Sequence, residues 1–407
     1  MEIEAKPSLL SERKVITIRN VVIVLFMVSI LYSVWTLSVC MILLFLLALL
    51  YRGSLFSWKM NALYRTATIP FWMFLLGSQF AGQWMEPSLM LLPFLSMPLA
   101  FYNLPSIAKR DYFLLHYGFV FIVFISVIPV VIQIVGNTDM YIENLGRGQP
   151  LPTPVNHLKY SIIVAFAIHV LVQMRFQSFI YRHAIEKKIQ MICAVLLLIF
   201  LHFLAVRTGL VVFYFSAVLL TFNHFIRSRN WKNLALMMAL FIFISTFLFI
   251  VSPTLKKRIE YMKYDWSMYQ AGTGQFYSDS ERLESIKTGW KIFLEQPWWG
   301  TGLGNLKERM MNEYEKMTGS REHFKYPHNQ YVYVLAGTGI FGLIVFLCGF
   351  FLPVRWIQPE LSPFLLILSV MFAIGFLVDN LLLRSFNVGF YTLILSLALS
   401  KQNEDLE

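Results

Sequence analysis

Residues 234–251 read LALMMALFIFISTFLFIV, eighteen positions without a charge and with only Ser245 and Thr246 as polar side chains. A helix rises about 1.5 Å per residue, so this run covers most of the roughly 30 Å hydrocarbon core of a bilayer. Ile189–Val206 and Phe364–Val378 repeat the pattern. Across the 407 residues, 57% are hydrophobic and 14% charged, against about 45–50% and 25% for soluble proteins. With a mean hydropathy of +0.61, the excess is too large for a single buried core. The chain reads as an all-α polytopic membrane protein.

Working outward from residues 234–251, about 12 spans are predicted: 15–33, 35–50, 63–80, 88–104, 113–135, 158–175, 188–206, 208–226, 232–251, 330–352, 361–378 and 380–400. Val15–Leu50 is long for one helix and short for two full crossings. Two helices with a tight turn near Ser33–Trp35 are the preferred reading, and one helix gives an eleven-span alternative. Residues 252–329 are then a large loop between the ninth and tenth spans. The organisation is three segments: 1–251 with helices 1–9, the loop 252–329, and 330–407 with the last three helices and a tail. Met1–Arg19 mixes acids and bases and shows no short apolar region before a cleavage site.

The net charge of +11 follows from 34 Lys and Arg against 23 Asp and Glu. No basic stripe interleaved with aromatics appears, which argues against nucleic acid. The distribution fits orientation in a membrane instead. With the N-terminus cytoplasmic, eighteen basic residues fall on the cytoplasmic side and four, Arg147, Lys159, Arg207 and Arg384, in short outer loops. The remaining twelve lie in 252–329, a loop long enough to be exempt from the rule. Both termini are therefore expected in the cytoplasm and the large loop outside it. Cys40, Cys193 and Cys348 sit in apolar runs and read as packing residues.

The loop carries signs of folding. Ser278-Asp-Ser-Glu281 reads as a capping box, and Leu283, Ile286, Trp290 and Phe293 recur at helical spacing up to Pro297. A glycine-rich turn, Trp298-Trp-Gly-Thr-Gly-Leu-Gly304, precedes a second amphipathic helix with Leu306, Met310, Tyr314 and Met317 on one face. The turn lacks the Lys-Ser/Thr ending of a phosphate loop. A smaller outer loop, 136–157, is rich in Gly, Pro and Asn.

Three single residues and two pairs offer chemistry. His328, in Tyr326-Pro-His-Asn-Gln330, stands where the large loop enters a span; it is either a general base or an interfacial cap. Arg207, in Ala205-Val-Arg-Thr-Gly209, is close to hydrocarbon, where an arginine is costly; it either binds a ligand or snorkels. Arg282 points toward the roofed side of its helix, either for a ligand or to pair with Asp279 or Glu281. Asp279 and Glu281 resemble a metal pair, but carboxylates in a first helical turn are favoured by the dipole anyway, and no metal site is assigned. Asp379 and Arg384, in the last outer turn, are a structural pair or line a cavity. His116, His169 and His202 have no partner at metal-ligand spacing and read as packing residues.

Three segments together resemble the O-antigen ligase and polymerase superfamily of bacterial envelope glycosyltransferases. They are Arg207-Thr-Gly209, then Asp279-Ser-Glu-Arg282 with Gly289 to Gly304, and His328-Asn-Gln-Tyr-Val-Tyr-Val-Leu-Ala-Gly-Thr-Gly-Ile-Phe-Gly342. The likeness covers about residues 200–350. It implies a GT-C-like membrane enzyme of the bacterial inner membrane, with its large, partly helical loop and active site in the periplasm. It also implies an inverting, metal-independent glycosyl transfer without cofactor. The donor is a glycan on undecaprenyl pyrophosphate, and in the ligases the acceptor is a sugar hydroxyl of lipid A–core. Carried over, His328 activates the acceptor, Arg207 and Arg282 hold the donor pyrophosphate, and Asn329, Asp279 and Tyr326 support them. One dominant outer loop favours a ligase over a polymerase, which places Arg-rich motifs in two. Protein O-oligosaccharyltransferases share His-Asn but extend further beyond the position of Ser400. A transporter or flippase is the alternative of another class, and paired broken helices and mid-span charges, its usual marks, are not evident.

Overall fold

The computed structural model describes residues 10–78, 85–175, 183–228, 231–271, 278–319, 321–322, 324–357 and 362–404. Lys6, Arg182 and Arg229, counted in the charge bias, lie outside them, as does the side chain of Ser278 from the expected capping box. The described residues form α-helices and short 3-10 turns, with no strand among them. Among the described residues, five helices are long and apolar enough to cross a membrane: Glu12–Tyr32 (α1), Val34–Arg52 (α2, continued by a 3-10 turn to Leu55), Lys109–Gly136, His157–Met174 and Gln330–Trp356.

The long apolar stretch near the N-terminus is two helices. Ser33 ends α1 in extended conformation, and its side chain accepts from the Thr36 N–H to cap α2, as the preferred reading expected. The next helices are shorter than the spans predicted for them: Ala62–Ala67 (α3), Ile69–Ser78 (α4), Met85–Met90 (α5) and Pro93–Asn103 (α6). Lys109–Gly136 (α7) turns Phe121, Ile125, Ile128, Ile132 and Val135 outward, an apolar stripe at alternating spacings of four and three. In water such a face would be costly; against lipid it is the expected one.

Thr138–Gly146 (α8) lies in the smaller loop, followed by His157–Met174 (α9), Ala184–Phe203 (α10), Arg207–Ser228 (α11) and Trp231–Val251 (α12). Among its described residues the large loop holds three helices: Pro253–Gln270 (α13), Ser278–Glu295 (α14) and Leu303–Thr318 (α15). Sequence reading identified the last two. It passed over α13, whose charges face all round, although Ser252 as N-cap and Pro253 in the first turn are start signals. Gln330–Trp356 (α16), Pro363–Val378 (α17) and Ser385–Glu404 (α18) close the chain.

Two compact units divide these elements. One comprises 1–118, 285–369 and 376–407; the other comprises 119–284 with 370–375. In the first, α2 packs on α1 and α6, α18 on α6, and α16 on α3 and α4, with α15 against α16. In the second, α9 is buried between α10 and α11, and α8 lies along α13.

In the first unit α16 is broken at Gly339 (φ 65°, ψ −167°), a backbone region open essentially to glycine alone. A break frees polar backbone groups, which apolar surroundings require to be satisfied internally. The glycine-rich turn does this: Thr301 N–H donates to Ala336 O (3.0 Å), Gly302 N–H to Gly337 O (2.8 Å), and Ile340 N–H to Pro297 O (2.9 Å). A Cβ on Gly300 would lie 2.4 Å from Thr338 N, and one on Gly339 2.3 Å from the Trp298 carbonyl carbon. The two glycine motifs are thus one backbone-to-backbone joint.

Candidate active site

In the first unit α14 supports the His328 segment. Its buried face is Ser285, Thr288, Gly289 and Ile292, not the Leu283–Ile286–Trp290–Phe293 stripe expected from hydropathy; Trp290 is exposed, although Phe293 is buried. The reason is close approach. A Cβ on Gly289 would sit 2.4 Å from Pro327 Cγ, and Ser285 Oγ accepts the His328 N–H at 3.1 Å. Small residues let the helix backbone reach the chain that carries His328.

Asn329 caps α16: its Oδ1 accepts from Val332 N–H at 3.0 Å and its Nδ2 donates to Leu377 O at 3.0 Å. Asn380 Nδ2 donates to Pro327 O, and Gln330 Oε1 accepts from Leu382 N–H. These bonds bring the turn after α17 against His328, where Nδ1 meets Asp379 Oδ1 at 2.9 Å. Asp379 also accepts from Asn380 N–H. The imidazole and carboxylate are 20% and 17% exposed, largely sheltered from water yet reachable. A cavity of about 250 Å³ opens beside them, lined by His328, Tyr326, Tyr333, Asn380, Lys325 and Arg384 among others. Tyr326 stands edge-on to Tyr333 with centroids 5.5 Å apart. Of the two readings for Asp379 and Arg384, Arg384 lines the cavity while Asp379 binds His328. A lone carboxylate between apolar runs was the signal for Asp379, since buried charge needs a reason.

The arginines lie in the second unit. A three-residue turn, with Ala205 at φ 52°, separates α10 from α11 and makes Arg207 the first residue of α11. Gly209 allows α11 to approach α9; a Cβ there would lie 2.3 Å from Ser161 Cβ. Arg207 is bidentate on Asp279, Nη1 to Oδ2 at 2.5 Å and Nη2 to Oδ1 at 2.6 Å. Both side chains are about a third exposed (31% and 30%), so the pair contributes only about 1 kcal/mol or less and leaves Arg207 open to competition by an anion. Asp279 therefore pairs with Arg207, not with Arg282.

Beneath this pair, buried Asp265 of α13 accepts from Asp279 N–H at 2.8 Å and from the Ser280 hydroxyl at 2.5 Å, capping α14 with a carboxylate from another helix. Arg282, one turn further on, extends its charge to His157 and Arg258. Arg258 was not singled out by sequence; twelve basic residues fall in 252–329, and nothing local marks this one. Arg207, Arg282 and Asp279 are thus gathered in one unit, and His328, Asn329 and Tyr326 in the other. His116 and His202 bond main-chain carbonyls of their own helices, and His169 bonds Ser216. Among the described residues no three His, Cys, Asp or Glu side chains are grouped to hold a metal.

Comparison with known families bears directly on these two groups. Residues 192–347 match the family model described as O-antigen ligase. This region is an O-antigen ligase family domain. The O-antigen ligase match takes in Arg207, Arg258, Asp279, Arg282, the glycine joint and His328, and ends before Asp379 and Arg384. No curated protein matches the chain. The match over this region supports a glycosyltransferase-like membrane enzyme of O-antigen pathways, a class that uses a lipid-linked glycan donor and a glycan or lipid acceptor.

Proposed function

We propose that the protein is an O-antigen ligase. It transfers a glycan from undecaprenyl pyrophosphate to a sugar hydroxyl of lipid A–core, at the periplasmic face of the inner membrane. The observation that carries this reading is the His328–Asp379 pair beside a cavity, within or adjoining a region of the O-antigen ligase family.

A carboxylate only accepts, so Asp379 holds the proton on Nδ1 and leaves the Nε2 lone pair for a hydroxyl. Nε2 takes the acceptor proton as the oxygen forms its bond to the anomeric carbon from the face opposite the leaving group. The bond between that carbon and the pyrophosphate oxygen breaks, the electron pair leaves with undecaprenyl pyrophosphate, and the configuration inverts. Asp379 stabilises the imidazolium, whose proton then passes to solvent. Arg207 and Arg282 bind the pyrophosphate and stabilise the charge it gains, where guanidinium forks suit phosphate oxygens. Asp279 orients Arg207, Asn329 fixes the start of α16, and Tyr326 offers a ring against the acceptor sugar. About twelve crossings in a GT-C-like arrangement, with segments 1–251, 252–329 and 330–407 and both termini cytoplasmic, complete the proposal.

The test is deletion of the gene in its native host, followed by lipopolysaccharide gels and extraction of lipid-linked glycan. A ligase leaves core without O-antigen while full-length polymer accumulates on the carrier. Core carrying a single repeat unit would mean a polymerase and sink the ligase reading.

A further inference from the structure

We infer that Arg258, held by the small loop through Gly148 and Tyr261, binds the second phosphate of a diphosphate, and so makes the arginine cluster select lipid diphosphates over lipid monophosphates. This deepens the proposed donor site and rests on that reading.

The geometry lies within the second unit. Arg258 Nη1 donates to Gly148 O at 2.9 Å, and its guanidinium stands 5.8 Å from the Tyr261 ring centroid. Gly148 ends the turn after α8 at φ +82°, and a Cβ there would lie 2.5 Å from Tyr261 Cζ. That glycine thus serves both the turn and the ring that flanks Arg258. Arg258 uses one nitrogen on Gly148, and its other N–H groups have no partner among the described residues. From α13, Asp265 grips the first turn of α14, and Asp279 in that turn grips Arg207. The bonds therefore bind Arg258's helix to both arginines already assigned to the donor.

Electrostatics agree. Burial first, then the charge of Arg207 and, more weakly, Arg282, pushes the Arg258 guanidinium below its ordinary range, while Asp279 and Tyr261 pull the other way. The charges of Arg207 and Arg282 both bear on Arg258, and the two oxygens of Asp279 are already on Arg207. Like charges held together on packed helices are unfavourable until an anion joins them. A monophosphate can engage one fork fully, whereas a diphosphate diester offers two charged groups and can engage Arg258 as well.

The experiment uses the full chain in nanodiscs, titrated with farnesyl monophosphate and farnesyl diphosphate, with binding read from tryptophan fluorescence. The wild type is expected to bind the diphosphate at least about tenfold more tightly. Arg258→Gln should remove that preference yet bind the monophosphate as before, which also reports that the variant is folded; Arg258→Lys should retain part of it. Gly148→Ala should weaken diphosphate binding in the same direction by displacing Tyr261. A wild type without preference, or an Arg258→Gln protein that keeps it, overturns the inference. The two readings separate cleanly. Intact diphosphate preference in a protein that transfers no glycan to lipid A–core leaves the inference standing and removes the ligase function. Transfer without any diphosphate preference does the reverse.

Discussion

Since Asp379 can only accept a hydrogen bond, its 2.9 Å contact with Nδ1 selects one tautomer of His328. Asparagine in its place can donate through its amide, which would turn the ring and put the proton on Nε2. Asp379→Asn is therefore expected to lower kcat for glycan transfer by about 10²- to 10⁴-fold, the usual range for a general base, with donor KM little changed. His328→Ala should cost at least as much. An Asp379→Asn enzyme within about twofold of wild type would remove the pair from the chemistry. Arg207 makes a different demand. Its fork already matches the two oxygens of Asp279, and lysine cannot reproduce that geometry. Arg207→Lys is expected to raise donor KM about tenfold, measured in the same assay.

Among the elements, the joint between the glycine-rich turn and broken α16 is the most demanding. Gly339→Ala would combine a forbidden backbone region with a 2.3 Å collision against main-chain atoms that cannot swing away. A loss of about 3 kcal/mol or more is expected, seen as a lower Tm in detergent. Gly118, inside α7 with open space around its Cβ position, is the control: Gly118→Ala should be neutral or stabilise by up to about 1 kcal/mol. The pair α14 and α15 adds a pH-dependent link. Glu313 is 7% exposed and bonds Lys291 at 2.5 Å and Lys316 at 2.7 Å, which holds its carboxyl below the ordinary range. A depressed folded-state value means that the stabilisation is present above the unfolded value, about 4.3, and is lost as pH falls through the folded one. Melting followed from pH 7 downward should show this loss in wild type and not in Glu313→Gln.

At the scale of the whole molecule, the outward stripe from Phe121 to Val135 and the five long apolar helices fit lipid better than water. Sidedness is then a matter of charge. The basic bias predicts that the loop 252–329 lies outside and the start of α7, at Lys109 and Arg110, inside. A cysteine at Glu308, on exposed α15 surface, should react in intact cells with a membrane-impermeant maleimide. A cysteine at Arg110 should react only after permeabilisation. Equal labelling of Arg110 from outside would invert the topology and remove the periplasmic site.

The amino-acid sequence by itself determined the membrane class, the break at Ser33, the helices α14 and α15, and the order of the Arg207, Arg282 and His328 motifs. These depend on hydropathy, spacing and capping, which are local properties that neighbouring residues carry. Tertiary structure alone decided what those residues touch. Asp379 reaches His328 across 51 positions, Asp279 reaches Arg207 across 72, and Gly148 reaches Arg258 across 110. It also decided which face of α14 is buried, because the close approach to Pro327 favours small side chains over the apolar stripe that hydropathy picks out. A partner fixed by packing between distant segments leaves no periodic trace in either of them, so its identity exists only once the chain has folded.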